Sequence, residues 1–426
     1  MNQPRSFTNL WRLLLLVVVA AFLIYVNQVV EPLSPNLFLP SPTPTTLPES
    51  FITNAESLVT QGKYSQAIEE YQKAIQSDPK DPANYISMAS LYIYNGNYSQ
   101  AVTTASNALL LKNNSSQAEA LKGFAQGLNG DYLDGTGSLD RAVQLDPSNP
   151  YAYAYQGILY AQQIIDGQNV SGNLEKAIDA SHKAVLIAPN ALETHWARGV
   201  VLEVTANYTD AITEFQAAVA QNANIAALHM ALGRNYKALQ KFDTAVEEFT
   251  KASALNPTDP NPVLNISRVY AGIGEYAKAI QYAEQAVANS PTDPFMYGNL
   301  GSLYFKNRMY PEAFFALKLS VRGGTTPEGV AVQGLSLGPG RIGEYYYDYG
   351  MTLMRLGYCG EAVQIAQAVQ QALSDDEIAV YNSQYTIDNC QSVLKSNLPT
   401  PTFLPSPTAR PTGTPTPALT PTSSGG

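Results

Sequence analysis

Apolar residues recur at three- and four-residue spacing along most of the chain, as in the stretch AIEEYQKAI that begins at Ala67. This period is typical of amphipathic α-helices, because it gathers the apolar side chains on one helical face. Related stretches return further on, as KFDTAVEEF from Lys241 and GEYAKAIQY from Gly274. The pattern predicts an all-α chain in which one helical arrangement is repeated.

Small residues mark the repeat at fixed intervals. Six of the eight steps along the series are 34 residues long, one is 42 and one is 49; the members are Ala67, Ala101, Gly135, Ala177, Ala211, Ala245, Ala279, Ala313 and Ala362. A second small series precedes the first by twelve residues, or by twenty at Gly157: Ala55, Ala89, Gly123, Gly157, Gly199, Gly233, Ser267, Gly301 and Gly350. Helix axes approach closely only where side chains are small. Both series therefore indicate packed helix pairs rather than a chemical site.

Prolines predict where each second helix ends, because a proline disfavours helical geometry in the residue before it. They stand twelve residues after the first series, at Pro79, Pro147, Pro189, Pro257 and Pro291. Together these features closely resemble the tetratricopeptide repeat, a 34-residue helix-turn-helix unit. The resemblance covers about residues 48–397. It departs from the family at the tryptophan near the start of the first helix, where this chain has Phe51, Tyr85, Tyr153, His195, His229 or Tyr297.

The resemblance implies a right-handed superhelical solenoid of about nine units with a closing helix. The expected units lie near 48–81, 82–115, 116–149, 150–191, 192–225, 226–259, 260–293, 294–327 and 343–376, and the closing helix over 377–397. Insertions interrupt the period at residues 166–173 and 322–342. Each could make contacts or be a tolerated surface loop, and VAVQGLSL in the second could form a short strand or hairpin edge.

The two ends of the chain differ in composition from the repeats. Residues 10–30 are mostly apolar and long enough for a transmembrane anchor, although a cleaved signal peptide is the alternative. Arg5 and Arg12 come before most of this segment, and no Lys or Arg follows until Lys63. The positive-inside rule therefore predicts a cytoplasmic N-terminus at residues 1–9 and a repeat region outside the cytoplasm. Residues 31–47 and 398–426 are rich in Pro and Thr, and are expected to be a linker and a disordered tail.

Composition excludes several classes of function. The chain carries 25 Lys and Arg against 35 Asp and Glu, a formal net charge of −10, which argues against a nucleic-acid partner. No arrangement of side chains suggests catalysis, so we predict that the chain is not an enzyme. The segment GPGRIG matches a dinucleotide-binding spelling, but the helical repeats around it do not provide the required βαβ unit. We therefore predict no cofactor.

Histidines and cysteines have structural interpretations. His195 and His229 lie one repeat apart, where a large first-helix residue packs, and no further metal ligands stand at suitable spacing. Cys359 and Cys390 are the two cysteines. In an oxidising compartment they could form a disulfide that fixes the closing helix; the alternative is two free buried thiols.

The family resemblance also implies a concave groove that holds a peptide or a partner protein. Carried over residue by residue, its lining consists of Tyr94, Phe124, Trp196, Arg234, Lys237, Asn265, Arg268, Phe295, Asn299, Phe305, Lys306 and Tyr347. The four basic residues would form a patch suited to a carboxylate or an acidic peptide, unless they are ordinary solvated charge. Some relatives hold a chaperone's C-terminal carboxylate with Lys and Asn at positions that here are Met230 and Arg234, so that function is not expected.

The expected function is a non-catalytic scaffold for protein–protein interaction, tethered to a membrane and located outside the cytoplasm. The partner would be a protein or an acidic peptide. Two alternatives stay open at this point: self-assembly into a structural component of the cell envelope, and binding of cell wall or carbohydrate through Tyr-rich surfaces.

Overall fold

Paired helices make up nearly all of the computed structural model, which describes residues 10–25, 48–168 and 170–395. Nine consecutive helix pairs, called units 1 to 9, are α2 and α3, α4 and α5, and so on to α18 and α19. The first six pairs are α2 (Pro48–Thr60), α3 (Tyr64–Ser77), α4 (Pro82–Tyr94), α5 (Tyr98–Leu111), α6 (Ser116–Leu128), α7 (Tyr132–Leu145), α8 (Pro150–Ile165), α9 (Asn173–Ile187), α10 (Leu192–Val204), α11 (Tyr208–Gln221), α12 (Ala226–Ala238) and α13 (Phe242–Leu255). The last three are α14 (Pro260–Gly272), α15 (Tyr276–Asn289), α16 (Pro294–Lys306), α17 (Tyr310–Arg322), α18 (Arg341–Arg355) and α19 (Cys359–Ala372), followed by the single helix α20 (Glu377–Lys395). The prediction of an all-α repeat is confirmed.

The N-terminal helix is shorter than the predicted anchor. It is α1 (Leu10–Tyr25), with 16 residues, and residues 26–30 of the predicted segment lie outside the described part of the chain. Among the residues that are described, no helix is both long and apolar enough to cross a membrane. The expected linker at 31–47 and tail at 398–426 also lie outside the described ranges. The anchor therefore stays a prediction.

Small residues hold the helix pairs together, as the repeat pattern predicts. Ala211 and Ala245, on the second helices α11 and α13, are fully buried. A Cβ atom added to Gly199 would lie 2.6 Å from Cε1 of Phe215, and one added to Gly233 would lie 2.5 Å from Cε1 of Phe249. Both rings are fully buried. In these units a phenyl ring of the second helix fills the space that the glycine of the first helix leaves.

This complementarity predicts opposite outcomes for two glycine-to-alanine substitutions in helices. Gly137→Ala, where an added Cβ meets nothing within 4 Å, should stabilise the protein by roughly 0.5–1 kcal/mol through helix propensity. Gly233→Ala should instead destabilise it by about 1–3 kcal/mol, because the ring of Phe249 must move. Urea denaturation of both variants measures the difference. Stabilisation by both would show that Gly233 is not needed for packing.

Aspartate, asparagine and proline define where the helices end and begin. Helices α3, α7, α9, α13 and α15 each end two residues before one of the predicted prolines. The next first helix often begins at a second proline, which an Asp or Asn precedes. The carboxylate of Asp81 accepts a hydrogen bond from the backbone N–H of Ala83 at 2.9 Å, and Asp293 accepts one from Phe295 at 2.8 Å. Each such cap satisfies a helix N–H that would otherwise lack a partner.

The turn inside every unit requires a residue with positive φ. Glycine supplies it in six units, whereas three units use Ala206, Gln240 and Arg308 at φ near 60°. A side chain in this conformation costs roughly 1–2 kcal/mol, and glycine does not incur that cost. Arg308→Gly is therefore expected to raise the free energy of unfolding by about 1 kcal/mol, and Gly274→Ala to lower it by a similar amount. Thermal denaturation tests both, and a destabilised Arg308→Gly variant would contradict the expectation.

The second insertion folds into a hairpin that fixes the start of α18. Strands β1 (Gly323–Thr325) and β2 (Ala331–Gln333) pair antiparallel, with β2 inside the segment expected to form a strand or hairpin edge. The backbone N–H of Leu335 donates to the carbonyl of Ser320 at 2.8 Å, and the hydroxyl of Tyr346 donates to the carbonyl of Leu335 at 2.6 Å. The insertion is thus held between α17 and α18, and it places Arg341 at the first position of α18.

A disulfide joins the closing helix to the last unit. Cys359 at the start of α19 and Cys390 in α20 are bonded, and both are buried. The bridge closes a sequence separation of 31 residues.

Candidate functional site

First helices of successive units contact one another from α4 to α12, and again between α16 and α18, and line the concave surface there. In its N-terminal part aromatic rings fill the space between these helices. Phe124 stacks on Tyr155 with ring centroids 4.0 Å apart, and Trp196 meets Phe124 edge-on at 5.6 Å. All three side chains are buried. Phe124 and Trp196, expected to line an open groove, are therefore part of the core.

A partly buried hydrogen bond connects units 2 and 5. The hydroxyl of Tyr94 on α4 donates to Oε1 of Glu193 on α10 at 2.9 Å. Burial raises the pKa of Glu193, and the pKa of Tyr94 rises through burial and the neighbouring Glu193 carboxylate. Tyr94, also expected to be an open groove residue, is thus held against the opposite side of the superhelix.

Further contacts close the superhelix on itself. The hydroxyl of Tyr64 in unit 1 donates to Oδ1 of Asn222, which follows unit 5, at 2.7 Å. A Cβ atom on Gly62 would lie within 2.5 Å of the Asn224 side chain, and one on Gly96 would lie 3.0 Å from Nδ2 of Asn256. The turns of the first two units therefore touch the connections that follow units 5 and 6. We call this set of contacts the clasp.

The clasp covers an axial cavity of about 410 Å³, to which Tyr94, Trp196, Arg234, Asn265 and Arg268 contribute. Arg234 forms a two-pronged ion pair with Glu203, with Nε–Oε1 and Nη2–Oε2 distances of 2.7 and 2.9 Å. Burial alone would lower the pKa of Arg234, but the Glu203 carboxylate raises it. The charge of Arg234 is thus neutralised inside the protein, which separates this residue from the expected basic patch.

Beyond the clasp, a smaller cavity lies between α14, α16 and α18. It measures about 220 Å³, and its lining includes Arg268, Tyr276, Asn299, Ser302, Lys306 and Arg341. We call it the cationic pocket. Two of its cations are paired with Glu344, whose carboxylate oxygens lie 2.8 Å from Lys306 Nζ and 2.8 Å from Arg341 Nη1. Burial tends to raise the pKa of Glu344, but these two cations lower it overall.

Several buried polar atoms of the cationic pocket face one another. Oγ of Ser302 lies beside the carboxyl group of the buried Asp348 and lowers the pKa of Asp348, and the guanidinium of Arg268 lies beside the hydroxyl of the buried Tyr345. Burial lowers the pKa of Arg268, and so does the nearby Arg341. The pKa of Lys237 on α12 is also lowered, by burial and by the nearby charges of Arg268 and Arg341. The pocket therefore concentrates positive charge that the protein itself only partly neutralises.

The structure brings together some of the expected groove residues and disperses others. Arg268, Asn299 and Lys306 meet in the cationic pocket, and Lys237 acts on it electrostatically. Asn265 lines the axial cavity, where its amide donates to the carbonyl of Asn261 at 2.9 Å. The remaining aromatic residues differ in exposure: the ring of Phe295 is exposed, whereas Phe305 and Tyr347 pack partly buried against the C-terminal core.

Sequence reasoning missed Ser302 and Arg341. A small hydroxyl side chain inside a helical repeat gives no signal of its own. Arg341 belongs to the second insertion, and its position directly before a helical pattern was the available clue.

The two histidines expected to pack also form hydrogen-bonded pairs within their units. Nδ1 of His195 lies 2.7 Å from Oε2 of Glu214, and Nδ1 of His229 lies 2.6 Å from Oε2 of Glu248. Burial tends to raise the pKa of Glu248, but hydrogen bonds from His229 and Lys251 lower it overall. Each pair joins the first and second helix of one unit, which is a structural role.

Comparison with known proteins identifies the repeat. Two tetratricopeptide repeat family models match the sequence, over residues 58–123 and 216–292. A solved tetratricopeptide repeat protein from Parabacteroides merdae ATCC 43184 is 15% identical with a TM-score of 0.38, covering 59% of this chain and 97% of that one. The pilF protein of Pseudomonas aeruginosa is 18% identical with a TM-score of 0.39, covering 49% of this chain and 91% of that one. Among curated proteins, none matches the sequence. Residues 58–123 and 216–292 match the tetratricopeptide repeat, a family that is generally a non-catalytic fold for protein–protein interaction.

Proposed function

We propose that the protein is a non-catalytic scaffold that binds an acidic peptide or protein segment on the C-terminal part of its concave surface. The observation that supports this proposal is that the N-terminal and C-terminal parts of that surface differ. Aromatic rings and the clasp occupy the N-terminal part, whereas the cationic pocket beyond it gathers Arg268, Lys306 and Arg341. Because the whole chain has a net charge of −10, a local excess of cations would favour docking of an acidic segment in one place.

The scaffold would act outside the cytoplasm, held by the apolar N-terminal segment. Two observations support this location. The large apolar side chains from Leu14 to Tyr25 in α1 are exposed rather than packed on the repeats. The Cys359–Cys390 disulfide suits an oxidising compartment. Protease treatment of intact spheroplasts should then degrade the repeat region, and complete protection of that region, with full degradation after lysis, would contradict the location.

Site-specific photo-crosslinking in cells tests the binding surface. A benzoylphenylalanine at Phe295, an exposed ring at the start of α16, should capture one recurring partner. The matched control is the same group at Leu186, which is 84% exposed on the second helix α9 of unit 4. Equal labelling from both positions, or no product from Phe295, would contradict the proposed surface.

A further inference from the structure

The axial cavity under the clasp is a second place where the protein could hold a ligand. We propose that it binds a neutral sugar of the size of a disaccharide, packed against Trp196 and hydrogen-bonded to the amide oxygens of Gln162 and Asn265. Residues of units 2 to 7 line this cavity, and Arg268 is the residue that its lining shares with the cationic pocket. The inference goes beyond the proposed function and does not depend on it.

The dimensions of the axial cavity suit a small molecule. Its volume of about 410 Å³ lies within the range of roughly 300–1,000 Å³ that is usual for small-ligand sites. The turns of units 1 and 2 contact the connections that follow units 5 and 6 across its opening. An extended peptide that followed the concave surface would meet this contact. A compact molecule needs only the space inside the cavity.

The charges around the axial cavity balance one another, which favours an uncharged ligand. Among the described residues, its lining contains the carboxylates of Asp166 and Asp259 and the guanidinium groups of Arg234 and Arg268. Burial would lower the pKa of Arg234, but Glu203 and Asp166 raise it overall. An anionic ligand would therefore meet no excess of positive charge here, in contrast to the cationic pocket.

Two side-chain amides in the lining are held with their oxygens available as acceptors. Nε2 of Gln162 donates to Oδ1 of Asp166 at 2.9 Å. Nδ2 of Asn265 donates to the backbone carbonyl of Asn261, also at 2.9 Å. These bonds fix which end of each amide donates. Neither amide oxygen accepts a hydrogen bond from the described residues, so each can accept one from a ligand hydroxyl.

Other residues of the lining supply donors. The indole N–H of Trp196 and the hydroxyl of Tyr98 make no hydrogen bond to the described residues. Burial and the nearby Asp259 raise the pKa of Tyr98 to about 12, so its hydroxyl keeps its proton. Arg234 donates two N–H groups to Glu203 and retains others. Sugar hydroxyls both donate and accept, so one sugar can pair with these donors and with the amide oxygens.

Aromatic and aliphatic side chains complete the lining. Trp196 and Tyr98 contribute ring surface, and Ile158, Val200 and Met230 contribute aliphatic surface. The C–H groups on one face of a sugar ring are slightly positive, and they pack favourably on the electron-rich face of an aromatic ring. A molecule with hydroxyl groups at its edge and C–H groups on its face therefore matches both parts of the lining.

Fluorescence of Trp196 in the full-length protein tests the site. The chain has two tryptophans, Trp11 and Trp196, so Trp11→Phe leaves the cavity residue as the one emitter. The probes are maltose, cellobiose, lactose and diacetylchitobiose, with digalacturonic acid as the acidic comparator and glycerol as the solvent control. At least one neutral disaccharide should change the emission saturably. Calorimetry of the wild-type protein with the same sugar should give the same Kd.

Substitutions in the lining connect binding to the cavity. Gln162→Ala removes one acceptor and should weaken binding of that disaccharide by roughly three- to tenfold. Ala227→Leu, at a partly buried position of the lining, fills part of the cavity and should weaken binding by about tenfold or more. The matched control is Gln370→Ala in unit 9, a partly buried amide that donates to Gln384 at 3.0 Å, which should bind as the wild type does. Circular dichroism and thermal denaturation check that each variant folds.

Three results would overturn the sugar site: no saturable signal from any of the four neutral disaccharides, tighter binding of digalacturonic acid, or unchanged affinity in both Gln162→Ala and Ala227→Leu. Crosslinking through Phe295 tests the scaffold function on a different surface. Loss of the sugar site would therefore leave the scaffold function in place, and the reverse also holds.

Discussion

Replacing Asp348 by asparagine is expected to stabilise the protein by about 4 kcal/mol above pH 8. Asp348 is 2% exposed in α18. Burial raises its pKa from 3.8 to about 7, with a smaller contribution from Glu344. Ser302, Lys306 and Arg341 act in the opposite direction. Ionisation in place is therefore costly, and asparagine of the same shape never incurs that cost.

The pH dependence follows from proton binding. Between about pH 4 and 7 the unfolded chain loses the Asp348 proton while the folded protein keeps it, given a folded pKa of about 7. The free energy of unfolding therefore falls as pH rises through this window and levels off above it. Urea denaturation at pH 5 and pH 8 should show the fall in the wild-type protein and a clearly smaller fall, to which Glu193 still contributes, in Asp348→Asn. The exposed control Asp134→Asn should retain the wild-type fall, and an unchanged fall in Asp348→Asn would contradict this explanation.

Removing the disulfide is expected to cost roughly 3–4 kcal/mol, from the chain entropy of a loop of about 30 residues. The paired substitution Cys359→Ala and Cys390→Ala deletes the bond and leaves no thiol to react. The loss should concentrate in α19 and α20, because the bond joins these two helices.

Hydrogen exchange under native conditions locates the effect of this paired substitution. Amides in α19 and α20 should exchange faster in the variant, while those in units 2 to 5 should keep their protection. The same pattern is expected when the wild-type protein is reduced. Two titratable free thiols in the protein purified without reductant would contradict the bridge.

Much of the fold follows from local side-chain size. The buried alanines and the Gly233–Phe249 contact require only neighbouring helices, so a series of small residues at constant spacing predicts them. The same holds for the helix ends before Pro79 and Pro257, where backbone geometry acts on one residue. Such features can be predicted from the sequence because their cause lies within one or two repeats of the chain.

The clasp could not be predicted in this way. Tyr64 and Asn222 are 158 residues apart, and their contact depends on the small rotation between units, summed over five units. No single residue encodes that rotation. The burial of Trp196 and Phe124 has the same origin, because both fill the centre of the closed part. These residues were expected to line a groove, but they belong to the core because the superhelix is closed around them.

The candidate site was predicted in part for related reasons. Arg268, Asn299 and Lys306 lie on consecutive first helices, so the repeat period places them together. Arg234 is not part of the cationic pocket, because Glu203, 31 residues earlier, neutralises its charge. Arg341 lines the cationic pocket because the hairpin fixes the residue at which α18 begins. Both changes depend on contacts between units rather than on the period.

The division of the concave surface into a closed and an open part is tested most directly by a distance measurement across the clasp. Spin labels at Gln61→Cys and Ala223→Cys would stand at exposed positions beside the contact between Gly62 and Asn224. Pulsed electron paramagnetic resonance on this doubly labelled protein should give one narrow distribution at the shortest separations that the method resolves. A broad distribution, or one centred at long separations, would mean that the superhelix is open and that units 1 to 5 also offer a groove.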